Sequence, residues 1–181
     1  REGVGTAPTV ADSVFVAYKG MLLNLNRFDE RTNPIWFESL SVVKGFSALM
    51  PYIKSAAPPT INPDGTYAFD GFGSAAIFMP SALGYYDDSR SVPAYSPLIF
   101  AVDLFTYKTT DHDGDSVPTH VEDLDGDNYF DDDTDSDGLP NFRDDDDDND
   151  GTLTRNEYDA NNDGIADDTD NDGTPDYLDK D

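Results

Sequence analysis

The chain has 181 residues, no cysteine and a formal charge of −27 at pH 7. The missing cysteines exclude disulfides and thiolate metal sites, and the sign of the charge argues against a nucleic-acid partner. No apolar run approaches the ~18 residues that a transmembrane helix needs.

The charge is concentrated in one part of the chain. Residues 1–110 carry 10 acidic and 8 basic side chains, a net of −2, while residues 111–181 carry 28 acidic and 3 basic ones, a net of −25. The first stretch has the balance of an ordinary globular domain. In the second, like charges would repel and hold the chain open unless counter-ions intervene. The shift between Thr110 and Asp111 predicts two domains, 1–110 and 111–181. The start at Arg1 rather than methionine is what removal of an upstream signal segment or lipid anchor would leave.

Along the first stretch, residues 13–19 alternate apolar with small or polar side chains, as a half-buried strand does. Residues 21–28 read as a second strand, and residues 35–40 as a third after the Asn33-Pro34 turn. Residues 45–50 are a short helix candidate that ends near Pro51. Residues 55–73 are rich in Pro, Gly, Asn and Asp and predict a long loop or hairpin. Residues 75–79 and 98–107 are the last strands. Several short strands with one short helix give an α+β domain on an antiparallel sheet.

Beyond Asp111, aspartates recur in a fixed twelve-residue frame. Loops starting at Asp111, Asp133 and Asp168 place carboxylates at positions 1, 3 and 5, glycine or serine at 6, proline at 8, a ring at 10 and a carboxylate at 12. Calcium, a hard cation, takes six to eight oxygens, and alternating acids surround one point only if the chain turns sharply after the fifth position. The candidate ligands are Asp111, Asp113, Asp115 and Glu122; Asp133, Asp135, Asp137 and Asp144; and Asp168, Asp170, Asp172, Asp176 and Asp179. A further loop matches the EF-hand pattern, with Asp146, Asp148, Asp150, the Thr152 carbonyl and Glu157. Another uses Asp159, Asn161, Asp163, Asp167 and Asp170, so that Asp170 serves two loops. Asp123, Asp125 and Asp127 begin a sixth frame that lacks glycine at position 6 and has Thr134 at position 12, and it reads as degenerate. The pattern therefore predicts about five structural calcium ions. His120 falls at position 10 and is expected to pack as Phe142 and Tyr177 do. This array resembles thrombospondin type-3 and related bacterial calcium repeats, with one EF-hand-like member. The resemblance implies an irregular, calcium-stabilised stalk in which ions replace a hydrophobic core.

In the first domain, Val16–Leu22 (Val-Ala-Tyr-Lys-Gly-Met-Leu), Arg27–Glu30 (Arg-Phe-Asp-Glu), Val42–Phe46 (Val-Val-Lys-Gly-Phe), Ile77–Tyr85 and Val92–Leu104 stand in an order and spacing that resemble the FKBP family of peptidyl-prolyl isomerases. The resemblance implies a bent antiparallel sheet wrapped around one short helix, with an apolar pocket between them. Carried over position by position, the catalytic pocket would comprise Tyr18, Phe28, Asp29, Val43, Phe46, Tyr85 and Phe100, with Ile35, Val42 and Val92 as substrate-binding neighbours. Tyr85 and the Val43 amide would donate hydrogen bonds to a substrate carbonyl, and Phe46 would form the floor. The chain departs from the family in residues 55–73, which exceed the usual connection, and in residues 86–91, a shortened loop without glycines. No arginine is clearly placed to pair with Asp29, and Arg31 is the nearest candidate.

Taken together, these features predict an isomerase acting on proline-containing polypeptides during folding of exported proteins. Catalysis would need no cofactor. Domain pairings of this kind in envelope lipoproteins of Gram-negative bacteria imply an extracytoplasmic setting, where millimolar calcium would fill such loops. The alternative is a non-catalytic surface module that uses the same pocket for binding or adhesion.

Overall fold

A computed structural model describes residues 1–88 and 92–180. The chain divides into two compact units, Arg1–Thr109 and Thr110–Asp181. Among the described residues, no helix is long and apolar enough to cross a membrane.

The first unit is sheet-rich, with one short helix. Strands β1 (Ser13–Leu22), β2 (Arg27–Glu38), β5 (Gly73–Met79) and β6 (Leu98–Lys108) form an antiparallel sheet in the order β2-β1-β6-β5, and β3 (Thr60–Ile61) pairs with β4 (Tyr67–Ala68) as a separate hairpin. Alternation along β1 sends Val14, Val16 and Tyr18 into the core and Phe15 to the other face. The β1–β2 ladder shifts register between Val16 and Tyr18 and again between Gly20 and Met21, and the β1–β6 ladder shifts between Phe15 and Val16. Such irregularities bend and twist a strand.

Residues 21–28 do not form one strand. Their middle is the β1–β2 turn, where Leu25 adopts φ 66°, Asn26 N–H bonds the Asn24 side chain, and Leu22 N–H bonds the Asn26 carbonyl. The two asparagines supply the turn chemistry that outweighs the apolar run. Residues 35–38 are not a separate strand but continue β2, which runs through Asn33-Pro34 without the expected turn, while Ser39–Ser41 make a 3-10 turn.

Helix α1 (Lys44–Ser47) is shorter than the predicted 45–50. Pro51 lacks an amide hydrogen and cannot continue a helix, so the chain passes instead into a 3-10 turn at Met50–Tyr52. The helix lies close to β5, since a Cβ on Gly45 would stand 2.6 Å from Met79 Sδ. Phe46, Leu49 and Met50 join Val14, Val16, Leu98, Phe100, Val102 and Leu104 in one core. The segment 55–73 contains the β3–β4 hairpin, turned at Gly65 (φ 83°) and tied by Asp64 Oδ1, which accepts bonds from the Thr66 amide and hydroxyl. Of the shortened 86–91 loop, residues 89–91 lie outside the described residues.

The second unit has almost no regular structure beyond 3-10 turns at Asn141–Arg143, Thr154–Asn156 and Asp176–Leu178. Its buried apolar side chains are Val117, Phe130, Phe142 and Tyr177. His120 is exposed. The imidazole that packs among the rings is instead His112, edge-on to Phe142 at 5.5 Å. His112 Nδ1 also lies 2.7 Å from Thr119 Oγ1, a tie inside its own loop that brings this ring, rather than His120, inward.

Candidate functional site

In the first unit, Tyr18, Asp29, Phe37, Ser41, Val42, Val43, Phe46, Tyr85 and Phe100 line a cavity of about 270 Å³. β1 supplies Tyr18, β2 supplies Asp29 and Phe37, the approach to α1 supplies Ser41 to Val43, and β6 supplies Phe100. The walls form an aromatic box. Phe46 is only 3% exposed and meets Tyr18, Phe37 and Phe100 edge-on at centroid distances of 6.1, 5.9 and 5.5 Å. Edge-to-face packing of this kind suits the ring quadrupoles and fixes the rotamers.

Polar groups are few and definite. Tyr18 Oη donates to Asp29 Oδ2 at 2.5 Å, and Glu30 N–H donates to Asp29 Oδ1 at 2.8 Å. Burial first, and then the Asp29 carboxylate, push the Tyr18 phenol up, so it stays a protonated donor. Tyr85 follows the 3-10 turn Ser81–Leu83, and its phenol is also raised, by burial and then by the charges of Asp29 and Asp88. Among the described residues nothing engages the Tyr85 hydroxyl. Arg31 does not pair with Asp29: its Nη1 donates to the Glu30 carbonyl at 3.3 Å. Among the described residues, no cation comes within ion-pair distance of Asp29.

Seven of the ten pocket residues expected from sequence line the cavity: Tyr18, Asp29, Val42, Val43, Phe46, Tyr85 and Phe100. Phe28, Ile35 and Val92 do not. Phe28 stands behind the wall, edge-on to Tyr85 at 6.0 Å and to Phe100 at 5.6 Å. Val92 is a core residue, 5% exposed. Ile35 lies opposite Val16, and the β2 ring that reaches Tyr18 is Phe37, at 5.4 Å. Phe37 lies opposite Val14 in the β1–β2 ladder, and only the folded packing brings its ring to Tyr18. The unit also has a depression of about 780 Å³ on the other face of the sheet, walled by Phe15, Trp36, Phe69 and Phe105, and it contains no carboxylate.

In the second unit, six loops repeat one conformation. Positions 4 and 6 of every loop have positive φ, between 55° and 104°, and are occupied only by Gly, Asn and Ser. This backbone region is costly for most side chains. The position-5 carboxylate accepts the position-7 amide in all six loops. In five loops the position-3 carboxylate accepts the position-5 amide. Each such bond occupies one carboxylate oxygen. The second oxygen of Asp113, Asp115 and Asp148 is buried without a partner, as is one oxygen of Asp123, Asp133 and Asp146.

Carboxylates gather within 4.8 Å of one another in the groups Asp111/Asp113/Asp115, Asp123/Asp125/Asp127, Asp133/Asp135/Asp137 and Asp146/Asp148/Asp150. The frame at Asp123, read as degenerate, is folded like the rest, because Asn128 (φ 65°) makes at position 6 the turn that glycine makes in four loops and Ser116 in the first. The closing residues lie near their loops. Glu157 is pushed up to about 7 by burial and then by Asp150, Asp148 and Asp146. Asp144 is raised by burial and the charges of Asp137 and Asp135, and Asp179 by burial and those of Asp172, Asp170 and Asp168. The Thr152 amide donates to Asp150 Oδ1 at 2.6 Å.

Asp167 and Asp176, at position 9, are placed differently from the other candidates. Asp176 accepts the Thr169 amide and hydroxyl, both at 2.6 Å, and Asp167 accepts from the Ala160 amide and the Asn161 side chain. Asn141 and Thr154 brace their loops from the same position, accepting the amides of Thr134 and Asp147. The position-9 carboxylates thus have their oxygens engaged as loop braces. The same bond turns the Asn161 amide nitrogen toward Asp167, while Asp159 accepts the amides of Asp163 and Gly164.

Asp147 was not foreseen. It is 1% exposed, and its two oxygens, like both of Glu122, are without partners. Burial and neighbouring carboxylates push Glu122 up to about 9 and Asp147 up to about 8. Its place within five consecutive aspartates hid it, although it is the one acid at position 2 among His112, Leu124, Thr134, Ala160 and Thr169.

No protein-family model matches the chain, and no curated protein matches it. Among solved structures, the chain is similar to a peptidyl-prolyl cis-trans isomerase from Pseudomonas syringae pv. tomato, at 22% identity and TM-score 0.48, covering 59% of this chain and 70% of that one. It is also similar to FkpA from Escherichia coli, at 28% identity and TM-score 0.48, covering 59% of this chain. The match spans 45% of the length of the Escherichia coli chain.

Proposed function

We propose that the first unit is a prolyl cis–trans isomerase acting on exported polypeptides, and that the second is a calcium-bound structural segment. The observation that carries the enzymatic reading is the aromatic cavity over Phe46, with the Tyr18–Asp29 pair and the Tyr85 hydroxyl at its wall. Amide rotation has a barrier of about 18–20 kcal/mol because resonance is lost, and X-Pro bonds are those with a usable cis population. The twisted amide is less charge-separated than the planar one. An apolar box that strips water from the bond therefore favours the twisted state over the ground state. Tyr85 and the Val43 amide would hold the substrate carbonyl, and Asp29, fixed by Tyr18, would orient the amide.

For the second unit, the fit to calcium rests on the buried carboxylate oxygens that lack partners in loop after loop. Such oxygens are costly without a cation, and an all-oxygen donor set is what calcium prefers. Bound calcium would supply the positive charge that lets these loops stay compact. Loops of this type fill at the millimolar calcium found outside the cytoplasm, which favours an extracytoplasmic, secreted or lipid-anchored protein.

The test is acceleration of cis–trans exchange in an X-Pro peptide by micromolar protein, with Asp29→Ala and Tyr85→Phe as comparisons. Acceleration that both variants diminish supports the enzyme. Background rates with retained peptide binding would replace it with a non-catalytic binding module.

A further inference from the structure

Asp115, Glu122 and Asp147 are 0%, 1% and 1% exposed, and their carboxylate oxygens lie within 4.8 Å of one another. Asp115 Oδ2 and both oxygens of Glu122 and of Asp147 have no hydrogen-bond partner. Among the described residues, no cationic side chain forms an ion pair with any of them. Asp115 and Glu122 are positions 5 and 12 of the loop that starts at Asp111. Asp147 belongs to another loop, whose own group is Asp146, Asp148 and Asp150. Its backbone is braced as in the other loops, with N–H donating to Thr154 Oγ1 at 3.0 Å. Its side chain nevertheless joins the carboxylates of the first loop. Three carboxylates out of water, with no cation and only the Val117 amide, on Asp115 Oδ1, to offset their charge, are strongly destabilising.

We propose that Asp147 is a ligand of the first loop's calcium ion, so that one ion is held by Asp113, Asp115 and Glu122 from one loop and by Asp147 from another. This inference rests on the calcium reading of the second unit. Oxygens from four carboxylates can fill most of a calcium shell with little water. The ion binds the folded cluster and not the unfolded chain, so it stabilises the pairing of the two loops by linkage. The first site is therefore the tightest of the array and the one that clips the two loops together.

Calcium titration of the full chain by calorimetry and chelator competition, with Asp147→Asn and the exposed Asp145→Asn as a charge-matched control, tests this. The tightest class should weaken tenfold or more in Asp147→Asn and stay within twofold of wild type in Asp145→Asn. Thermal melting adds a readout that a merely structural role would not give. At saturating calcium Asp147→Asn should melt below wild type, and the difference should vanish as chelator removes the ion. An Asp147→Asn protein that keeps the tight class, or that is destabilised alike with and without calcium, overturns the inference alone. A wild-type chain that takes up no calcium overturns the calcium reading and this inference with it.

Discussion

The Tyr18 hydroxyl donates a 2.5 Å hydrogen bond to the Asp29 carboxylate across neighbouring strands, and among the described residues no arginine takes part. Hydrogen bonds to charged groups contribute about 1.5–3 kcal/mol, and partners in one bond are not additive. Tyr18→Phe and Asp29→Ala should each destabilise the first unit by about 1–3 kcal/mol, and the double variant by little more than one alone. The chain's single tryptophan, Trp36, lies in β2, so denaturation followed by its fluorescence reads this unit. Full additivity would show that the bond does not couple the two residues.

Gly20 sets the position of the pocket wall. A Cβ there would lie 2.6 Å from Phe28 Cζ and 3.0 Å from Phe100 Cε1. Overpacking typically costs about 1–3 kcal/mol, and displacing Phe28 would disturb the ring it supports, Tyr85. Gly20→Ala should lower the fluorescence-detected midpoint and reduce peptide affinity, measured by titration with an X-Pro peptide. Unchanged values in both would remove Phe28 as a support of the wall.

Asn141 is 1% exposed and closes its loop twice, accepting the Thr134 amide and donating to Thr134 Oγ1, both at 2.9 Å. Leaving a buried donor unpaired costs about 1–3 kcal/mol. Asn141→Ala should destabilise the calcium-loaded second unit by that amount, measured by circular dichroism melting. Asn141→Asp, which keeps the acceptor that binds the amide, should recover part of the loss.

Gly138 and Gly173 hold φ of 97° and 104°. A side chain in the left-handed region costs about 1–2 kcal/mol, so Gly138→Ala or Gly173→Ala should weaken calcium binding at that loop about tenfold. Calorimetric titration should show one site weakened while the others are unchanged.

Much of this was legible in the sequence, because the relevant signals are local. The alternation along β1, Pro51 after the short helix and the twelve-residue aspartate frame each follow from neighbouring residues. What the sequence hid depends on contacts between distant segments. Phe37 pairs with Val14 in the β1–β2 ladder, yet its ring reaches Tyr18. Asn24 and Asn26 turn the chain inside an apolar run. Asp147 joins carboxylates from a different loop, and nothing in a stretch of five aspartates marks which side chain turns away. Position 9 looked like a ligand position because acids occur there, yet Asn141 and Thr154 at the same place show that its structural task is to brace position 2.

That calcium stands in for a hydrophobic core in residues 110–181 is the claim on which most of the chain's charge bears. Small-angle scattering from the full chain, compared in millimolar calcium and in excess chelator, tests it most directly. The account predicts a larger radius of gyration with chelator, accompanied by proteolytic cleavage confined to the aspartate-rich loops. Equal compactness in the two conditions would contradict it.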